Sequence, residues 1–398
     1  MKQRKNKFPI LNAVSLFANV GIAEAYFDEV GVNVVVANEI DPERARFYNH
    51  LYPATDMIVG DITDKSVQDE IVSKSVANKV ELLIATPPCQ GMSTAGKKEE
   101  FDPRNSLICC AVEMINRIKP KYVMLENVPE QLLTRIRVDG ELLLIPDYLH
   151  KQLGDEYNFA DEVVIDTSDF GVPQSRQRAI FLLTRKDMDF VWQMPSKNSK
   201  KITMRDAIGD LPILDPFVRD IDYSEMIEIF PDFEQRKEEA LKISKWHYPP
   251  THIYRQVYSL MHTPSGQTAF NNPEEFRPKK ANGEFVRGFK NTYKRQEWEK
   301  PACTITMYNR TIGSQNNVHP GRPIGTDNDG NQLYSDPRVL TVYEIMIIMS
   351  LPKDWNIPEW ASESFIRSVI GEGIPPLMTK KIVEVLQNEQ IKRSFAIC

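Results

Sequence analysis

Val80-Glu81-Leu82-Leu83-Ile84-Ala85-Thr86-Pro87-Pro88-Cys89-Gln90 is an apolar run that ends in two prolines and a cysteine. Residues 80–85 have the composition of a strand buried on both faces, and Pro87, which has no N–H, cannot continue a ladder. The sheet should stop there. Cys89 then falls just past the carboxyl end of a strand, the edge at which open α/β sheets bind their ligands. A small buried thiol is the ordinary fate of a free cysteine. The double proline and the strand-end position present this one instead as a candidate nucleophile.

Strand-like runs continue outward from this stretch at residues 11–17, 32–39, 57–61, 122–126, 162–166 and 179–184. Helical patterns separate them, the clearest at 105–118, where Leu107, Ala111, Met114, Ile115 and Ile118 share one face. Short apolar strands alternating with helices predict an α/β fold with a doubly wound, mostly parallel sheet. Beyond Asp187 the chain turns polar, proline-spotted and aromatic through about Arg338, which predicts a second, smaller domain with long loops. A final helical block at 379–386 follows the turn Gly371-Glu372-Gly373-Ile374-Pro375-Pro376. The expected division is 1–187, completed by 365–398, with 188–364 as the smaller domain. A length of 398 residues exceeds the usual size of one core, and 41% hydrophobic content suffices to fill two.

The net charge of −6 conceals an asymmetry. Between Leu241 and Arg322 stand thirteen Lys/Arg against five Glu and no Asp, a local balance of +8. Such a segment on an acidic protein suits a polyanion. The five cysteines are odd in number and lack zinc-type spacing, so a reducing compartment is expected, with neither a disulfide framework nor a metal. The basic start at Met1–Lys7 is followed by Asn12, Ser15, Asn19 and Glu24, which interrupt any signal-peptide core, and no run is long enough to span a membrane.

Polar groups recur at the predicted strand ends. The first ends in Phe17-Ala18-Asn19-Val20-Gly21, a turn into a helix that suits a nucleotide-like ligand. The second ends in Glu39-Ile40-Asp41, where an acid commonly accepts hydrogen bonds from ribose hydroxyls. The third ends in Asp61-Ile62, and Asp61 can accept from an exocyclic amine. Each acid alone also suits a helix cap or an exposed turn. Together they outline a nucleoside pocket, and the missing spaced glycines disfavour a dinucleotide.

Pro-Pro-Cys-Gln at 87–90, Asp102-Pro103-Arg104-Asn105, Glu126-Asn127-Val128, Gln174-Ser175-Arg176-Gln177-Arg178, Arg338-Val339-Leu340-Thr341 and the Gly371 turn occur in one order along nearly the whole chain. In that ordered set the chain resembles the cytosine-5 DNA methyltransferases of type II restriction-modification systems. The resemblance implies a Rossmann-like, S-adenosylmethionine-dependent methyltransferase domain and a smaller target-recognition domain. It implies Cys89 as the nucleophile on C6 of a flipped cytosine, Glu126 on N3 and the exocyclic amine, and Arg176 and Arg178 near the base and its phosphate. Alternate spacing places both arginine side chains on one face of an extended segment.

By the same resemblance the cofactor S-adenosyl-L-methionine is held by Phe17, Ala18, Asn19, Gly21, Glu39, Ile40, Asp61, Ile62 and Pro87. Gln90, Ser93, Lys97 and Lys98 belong to a loop expected to close over DNA, with glycines at 91 and 96 for hinging. The basic segment falls where the family keeps its reader of double-stranded DNA. Arg287, Lys290, Asn291, Lys294, Arg295, Asn309 and Arg310 are therefore candidates for base or phosphate contacts. Also implied are a cognate restriction endonuclease acting on the same site, a monomeric state, and a cytoplasmic, prokaryotic, nucleoid-associated location.

Ser15 and Asn19 replace the family's usual acid and glycine in the first turn, and Glu372 replaces its usual asparagine. These departures touch the expected cofactor pocket and leave Cys89, Glu126 and the arginines intact. A tRNA cytosine-5 methyltransferase would share the active-site residues, but it needs no duplex reader, so the basic segment disfavours it. Asn19 and Glu372 motivate a third reading, a noncatalytic DNA-binding regulator on the same scaffold, against which Cys89 and Glu126 argue.

Overall fold

The computed structural model describes residues 8–88, 107–161 and 163–396. Its centre is a sheet built from β1 (Leu11–Leu16), β2 (Val32–Glu39), β3 (Asp56–Val59), β4 (Leu82–Ala85), β5 (Tyr122–Asn127), β8 (Tyr157–Phe159), β9 (Val164–Asp166) and β10 (Gln177–Arg185). The strand order is β3-β2-β1-β4-β5-β10-β8, with β9 also paired to β10. The first five strands are parallel, and β10 runs antiparallel to β5, β8 and β9. Between β3 and β8 in sequence lies a small hairpin, β6 (Arg135–Val138) and β7 (Glu141–Leu144).

Side-chain parity builds the core. In β4, Leu83 and Ala85 join one hydrophobic cluster while Leu82 and Ile84 join another on the opposite face. Successive strand residues point to opposite faces, so a strand covered on both sides must be apolar throughout, as this one is. The first face is covered by α2 (Lys65–Ala77), α3 (Leu107–Ile118) and α4 (Ile145–Leu153), the second by α11 (Pro376–Ala396) and Trp192. A third cluster joins Val20, Ile22 and Phe47 of α1 (Pro42–Leu51) to α5 (Met204–Ile208), α9 (Val342–Ile348) and α10 (Glu363–Glu372).

Residues 188–340 contain α5, α6 (Tyr223–Ile229), α7 (Phe233–Ile243) and α8 (Tyr254–Met261), with two short strand pairs, β11 (Phe217–Val218) with β12 (Thr251–His252) and β13 (Pro323–Thr326) with β14 (Gln332–Tyr334). Much of the remaining backbone is irregular. Buried polar groups satisfy it instead. Arg338, fully buried, donates to the Leu214 carbonyl at 2.8 Å, to Asp336 at 2.8 Å and to both oxygens of Glu344 at 2.8 and 2.9 Å. His319 lies beside the same acids, each 3.7 Å away, and its Nδ1 accepts from the Gly321 N–H at 3.1 Å. Nε2 of His252 accepts from the Val339 N–H at 3.2 Å.

The expected strands and the 105–118 helix are present where described, with shifts of a residue or two. The hairpin lies outside the expected strands, although Asp139-Gly140 carries its signal: both residues hold positive φ, 50° and 84°, as a two-residue primed turn requires. The strand β8 lies outside them too, and α11 extends well beyond 379–386. Among the described residues no helix is long and apolar enough to cross a membrane, and no cluster of His, Cys, Asp and Glu forms a metal site.

Burial, reinforced by the charges of Arg367, Arg338 and Arg219, lowers the His252 pKa from 6.5 to about 3, and burial likewise lowers that of His319 to about 4. Both rings are neutral when folded, whereas an unfolded chain takes up protons as pH drops through 6.5. The unfolded state binds more protons in that window, so stability is full above 6.5 and is lost toward about 4 for His319 and about 3 for His252. Thermal melts at stepped pH should show Tm falling through this range. His252→Gln, whose amide oxygen can still accept from Val339, should flatten the fall; an unchanged slope would remove His252 from this account.

Candidate active site

The register of the sheet brings the strand tips to one edge. Leu16 pairs with Asn38 and Ala85, and Ala85 with Leu125, so Phe17, Glu39, Thr86 and Glu126 follow in adjacent positions. The order of strands reverses between β1 and β4, and such a switch opens a crevice at the carboxyl edge. Side chains stitch the tips together. Thr86 Oγ1 donates to the Phe17 carbonyl at 3.1 Å, and Asn127 Nδ2 donates to the Pro87 carbonyl at 3.1 Å. The backbone leading to Cys89 is thereby fixed from both neighbouring strands.

Because β10 is antiparallel to β5, it begins at this same edge and delivers its first residues to the site. Arg178 Nε donates to Glu126 Oε1 at 2.6 Å, with both side chains 11% exposed. The pair is shielded from water and still reachable, and it leaves a carboxylate oriented beside a fixed guanidinium. Arg176 behaves differently. Its Nη1 donates to the Ile305 carbonyl at 2.8 Å and its Nη2 to Gly371 at 2.9 Å, with a longer contact to Glu372 at 3.4 Å. This corrects the expectation that both arginines face the base: Arg176 is buried and spends its donors on backbone of remote segments. Asp166 steadies the approach by accepting from Arg176 N at 3.2 Å and from Ser175 Oγ at 2.6 Å. Burial raises the Asp166 pKa, but hydrogen bonds from Ser175 and Ser168 and the charge of Lys201 outweigh it and leave the carboxyl below its ordinary range.

At the tips of β1 and β2, Glu39 accepts from Asn19 N at 2.8 Å and from Asp41 N at 3.0 Å. Asn19 holds φ at 50°, a conformation that asparagine tolerates better than most residues, which explains how it stands where the family has glycine. Its Oδ1 is buried without a hydrogen-bond partner among the described residues, so a ligand donor would satisfy it. This orphan acceptor beside Glu39 fits a donor-bearing cofactor. Asp41 caps α1, and Asp61 accepts from Thr63 N at 2.9 Å, the cap and turn uses that such acids also suit. Ile40 is exposed at the strand tip, while the Ile62 side chain belongs to the core.

Glu372 pairs with Arg44 at 2.8 Å, so the departure from asparagine closes α10 against α1 by charge. The other departure has a partner too. Glu24 is buried against Tyr48 and Ser15, and burial pushes its carboxyl up to about 7 while those hydrogen bonds pull it down. The acid missing at Ser15 is thus supplied from the following turn. Thr86, Asn127, Asp166, Arg44 and Glu24 were not read as site residues. Only Asn127 carried a signal, through its place in the Glu-Asn-Val triplet.

Among the recognition candidates, Arg295 and Asn309 are corrected. Arg295 is fully buried, its guanidinium donating to the carbonyls of His319, Asp336, Leu260 and Ser335 at 2.8 to 3.0 Å. Asn309 is buried and donates to the carbonyls of Thr306 and Arg367 at 2.6 and 3.1 Å. Neither has a free polar edge for DNA. Arg287, Lys290 and Arg310 are exposed, and Asn291 and Lys294 are half-buried. Cys89, Gln90, Ser93, Lys97, Lys98 and the Asp102–Asn105 motif lie outside the described residues.

The family model for C-5 cytosine-specific DNA methylases matches residues 11–388. The chain belongs to that family. It is 39% identical to the type II methyltransferase M1.HgaI of Avibacterium volantium over 94% of this chain and 98% of the relative. Identity to M1.HphI of Haemophilus parahaemolyticus is 25% over 94% and 86%. The fold matches a DNMT2 variant of Spodoptera frugiperda with a TM-score of 0.57 at 15% identity, covering 94% of this chain and 99% of the other. It also matches the methyltransferase EhMeth of Entamoeba histolytica with a TM-score of 0.58 at 13% identity, covering 96% and 99%. The enzyme is a DNA cytosine-5 methyltransferase of the type II restriction-modification kind.

The two arginines of its Gln-x-Arg-x-Arg motif should therefore separate by experiment. Arg176→Ala should destabilise the fold by about 3 kcal/mol, since hydrogen bonds from charged donors are worth about 1.5–3 kcal/mol each. Arg178→Ala strips the shielded Glu126 of its partner, so it should lower Tm as well, and in addition it should cut kcat of the folded enzyme roughly 10²-fold by releasing the carboxyl that Arg178 positions. Melting curves beside single-turnover assays, run well below both melting points, check this; an equal loss of single-turnover rate in the two folded variants would refute the division.

Proposed function

We propose that the enzyme methylates C5 of a cytosine rotated out of duplex DNA, through a covalent bond between Cys89 and C6. The observation that carries this reading is the Glu126–Arg178 pair, 2.6 Å apart at the edge where Asn127 and Thr86 fix the backbone leading into Cys89. C5 of cytosine is a poor nucleophile because attack would cost the ring its aromaticity. Addition of the Cys89 thiolate to C6 makes C5 enamine-like. A proton held between the Glu126 carboxyl and N3, with the other carboxyl oxygen accepting from the exocyclic amine, draws charge from the ring as sulfur adds, and Arg178 holds that carboxyl in place. Once C5 carries the methyl group, its proton passes to solvent water and the bond between C6 and the Cys89 sulfur breaks, which frees the thiolate and restores aromaticity.

S-adenosyl-L-methionine, when bound, supplies an electrophilic methyl group. Asn19, Glu39 and the Asp61 turn at the tips of β1, β2 and β3 would hold it, with the Arg44–Glu372 pair bordering the site. A base inside the stack is out of reach of a thiolate, and rotating it out costs a few kcal/mol. Contacts from within residues 188–364, which we assign to target recognition, and from the loop after Cys89 would offset that cost. The same proposal includes a monomeric enzyme and a partner endonuclease acting on the same site.

Incubation with labelled S-adenosylmethionine and duplex DNA should yield 5-methylcytosine, and its absence across varied sequences would sink the proposal. Competition between duplex DNA and tRNA separates the two cytosine-5 substrates. Cys89→Ser should abolish turnover while DNA binding persists; methylation retained by that variant would take the nucleophile's role from Cys89.

A further inference from the structure

We propose that Phe289 is a wedge that enters the base stack beside the target site while Arg287 and Lys290 hold the flanking phosphates. The inference rests on duplex DNA being the substrate. Phe289 is 77% exposed, and a single exposed apolar residue is ordinary on its own. What sets this one apart is its mounting. The Phe289 carbonyl accepts from both Thr292 N at 2.9 Å and Thr292 Oγ1 at 2.8 Å, which closes a tight turn under the ring.

Gly288 roots that turn in the core. A Cβ there would stand 2.4 Å from Cζ of Phe270, which packs on the cluster of Leu260, Tyr293 and Val318. On the other side, the Val286 N–H bonds the Pro278 carbonyl at 2.8 Å, and Lys280 is paired with Glu284 at 2.9 Å. The tip is held while its ring is left in water. Arg287 and Lys290 flank it, both exposed and without an ion pair among the described residues.

An aromatic on a braced turn, between two cations without an ion pair among the described residues, is complementary to a polymer that presents apolar faces between anionic strands. Apolar wedges at base steps and cations on the adjoining phosphates act together in this way on duplex DNA. A protein partner for the ring would need acidic groups at both cations and would leave DNA binding untouched.

The test uses the full chain and a duplex carrying its methylated site, located beforehand by bisulfite sequencing, with 2-aminopurine placed at successive positions around that site. Wild type should raise the fluorescence at one base step outside the methylated cytosine. Phe289→Ala should lose that signal and bind the duplex about tenfold more weakly with an unchanged salt dependence, the loss expected for one stacking contact. Phe289→Leu should keep part of both. Arg287→Gln and Lys290→Gln should each lower the salt slope by about one. A Phe289→Ala enzyme with wild-type affinity and fluorescence, beside a wild type that methylates DNA, overturns the wedge and leaves the proposed function standing. A wild type that methylates no duplex overturns the proposed function, and the wedge with it.

Discussion

The guanidinium of Arg176 donates to the carbonyls of Ile305, Gly371 and Glu372, tying the entrance of β10 to two segments more than a hundred residues away. The same device recurs through the irregular half of the molecule. Backbone that leaves the sheet keeps its polar groups, and burying them unpaired costs more than most contacts return. Arg295, Arg338 and Arg367 are fully buried and donate to carbonyls of His319, Leu214 and Leu340 at 2.8 to 2.9 Å. Arginine suits this task because its planar fork carries five donors and stays charged when buried. Lysine, with one compact ammonium, would reach fewer carbonyls.

This use of arginine marks the limit of what the residues reveal before folding. The sheet was legible because a strand covered on both faces is apolar in nearly every position, and 82–85 and 122–125 show it locally. Glu126 and Arg178 were legible because each sits at a strand end within a distinctive motif. Arg295 and Asn309 were misplaced because residue type does not encode burial: the same guanidinium suits a phosphate outside or a carbonyl inside. The +8 balance of residues 241–322 therefore overstates the charge that the surface presents. The antiparallel course of β10 was equally hidden, since strand direction depends on connections and not on apolar pattern.

The tips of β1 and β2 show how substitutions are absorbed. Asn19 occupies a left-handed position without glycine, and the Glu39 carboxylate bonds its N–H. Glu24 lies against Ser15 and brings an acid back to the place where the family's was lost. Glu372, longer than the expected asparagine, reaches Arg44 across to α1. In each case the neighbour restores a charge or a hydrogen bond, so the geometry of the tips survives a changed sequence.

The Arg176 brace also bears on how such an enzyme can diverge. Its acceptors are main-chain oxygens, which every amino acid supplies, so the side chains at 305 and 372 are free to drift without loosening it. Gly371 is the exception, because a Cβ there would lie 2.3 Å from the Thr306 carbonyl oxygen. An anchor that reads backbone and ignores side chains lets the long excursion between β10 and α11 be rewritten, lengthened or exchanged between relatives while the strand tips stay where they are. The strand tips and the excursion between β10 and α11 can then change at different speeds within one chain.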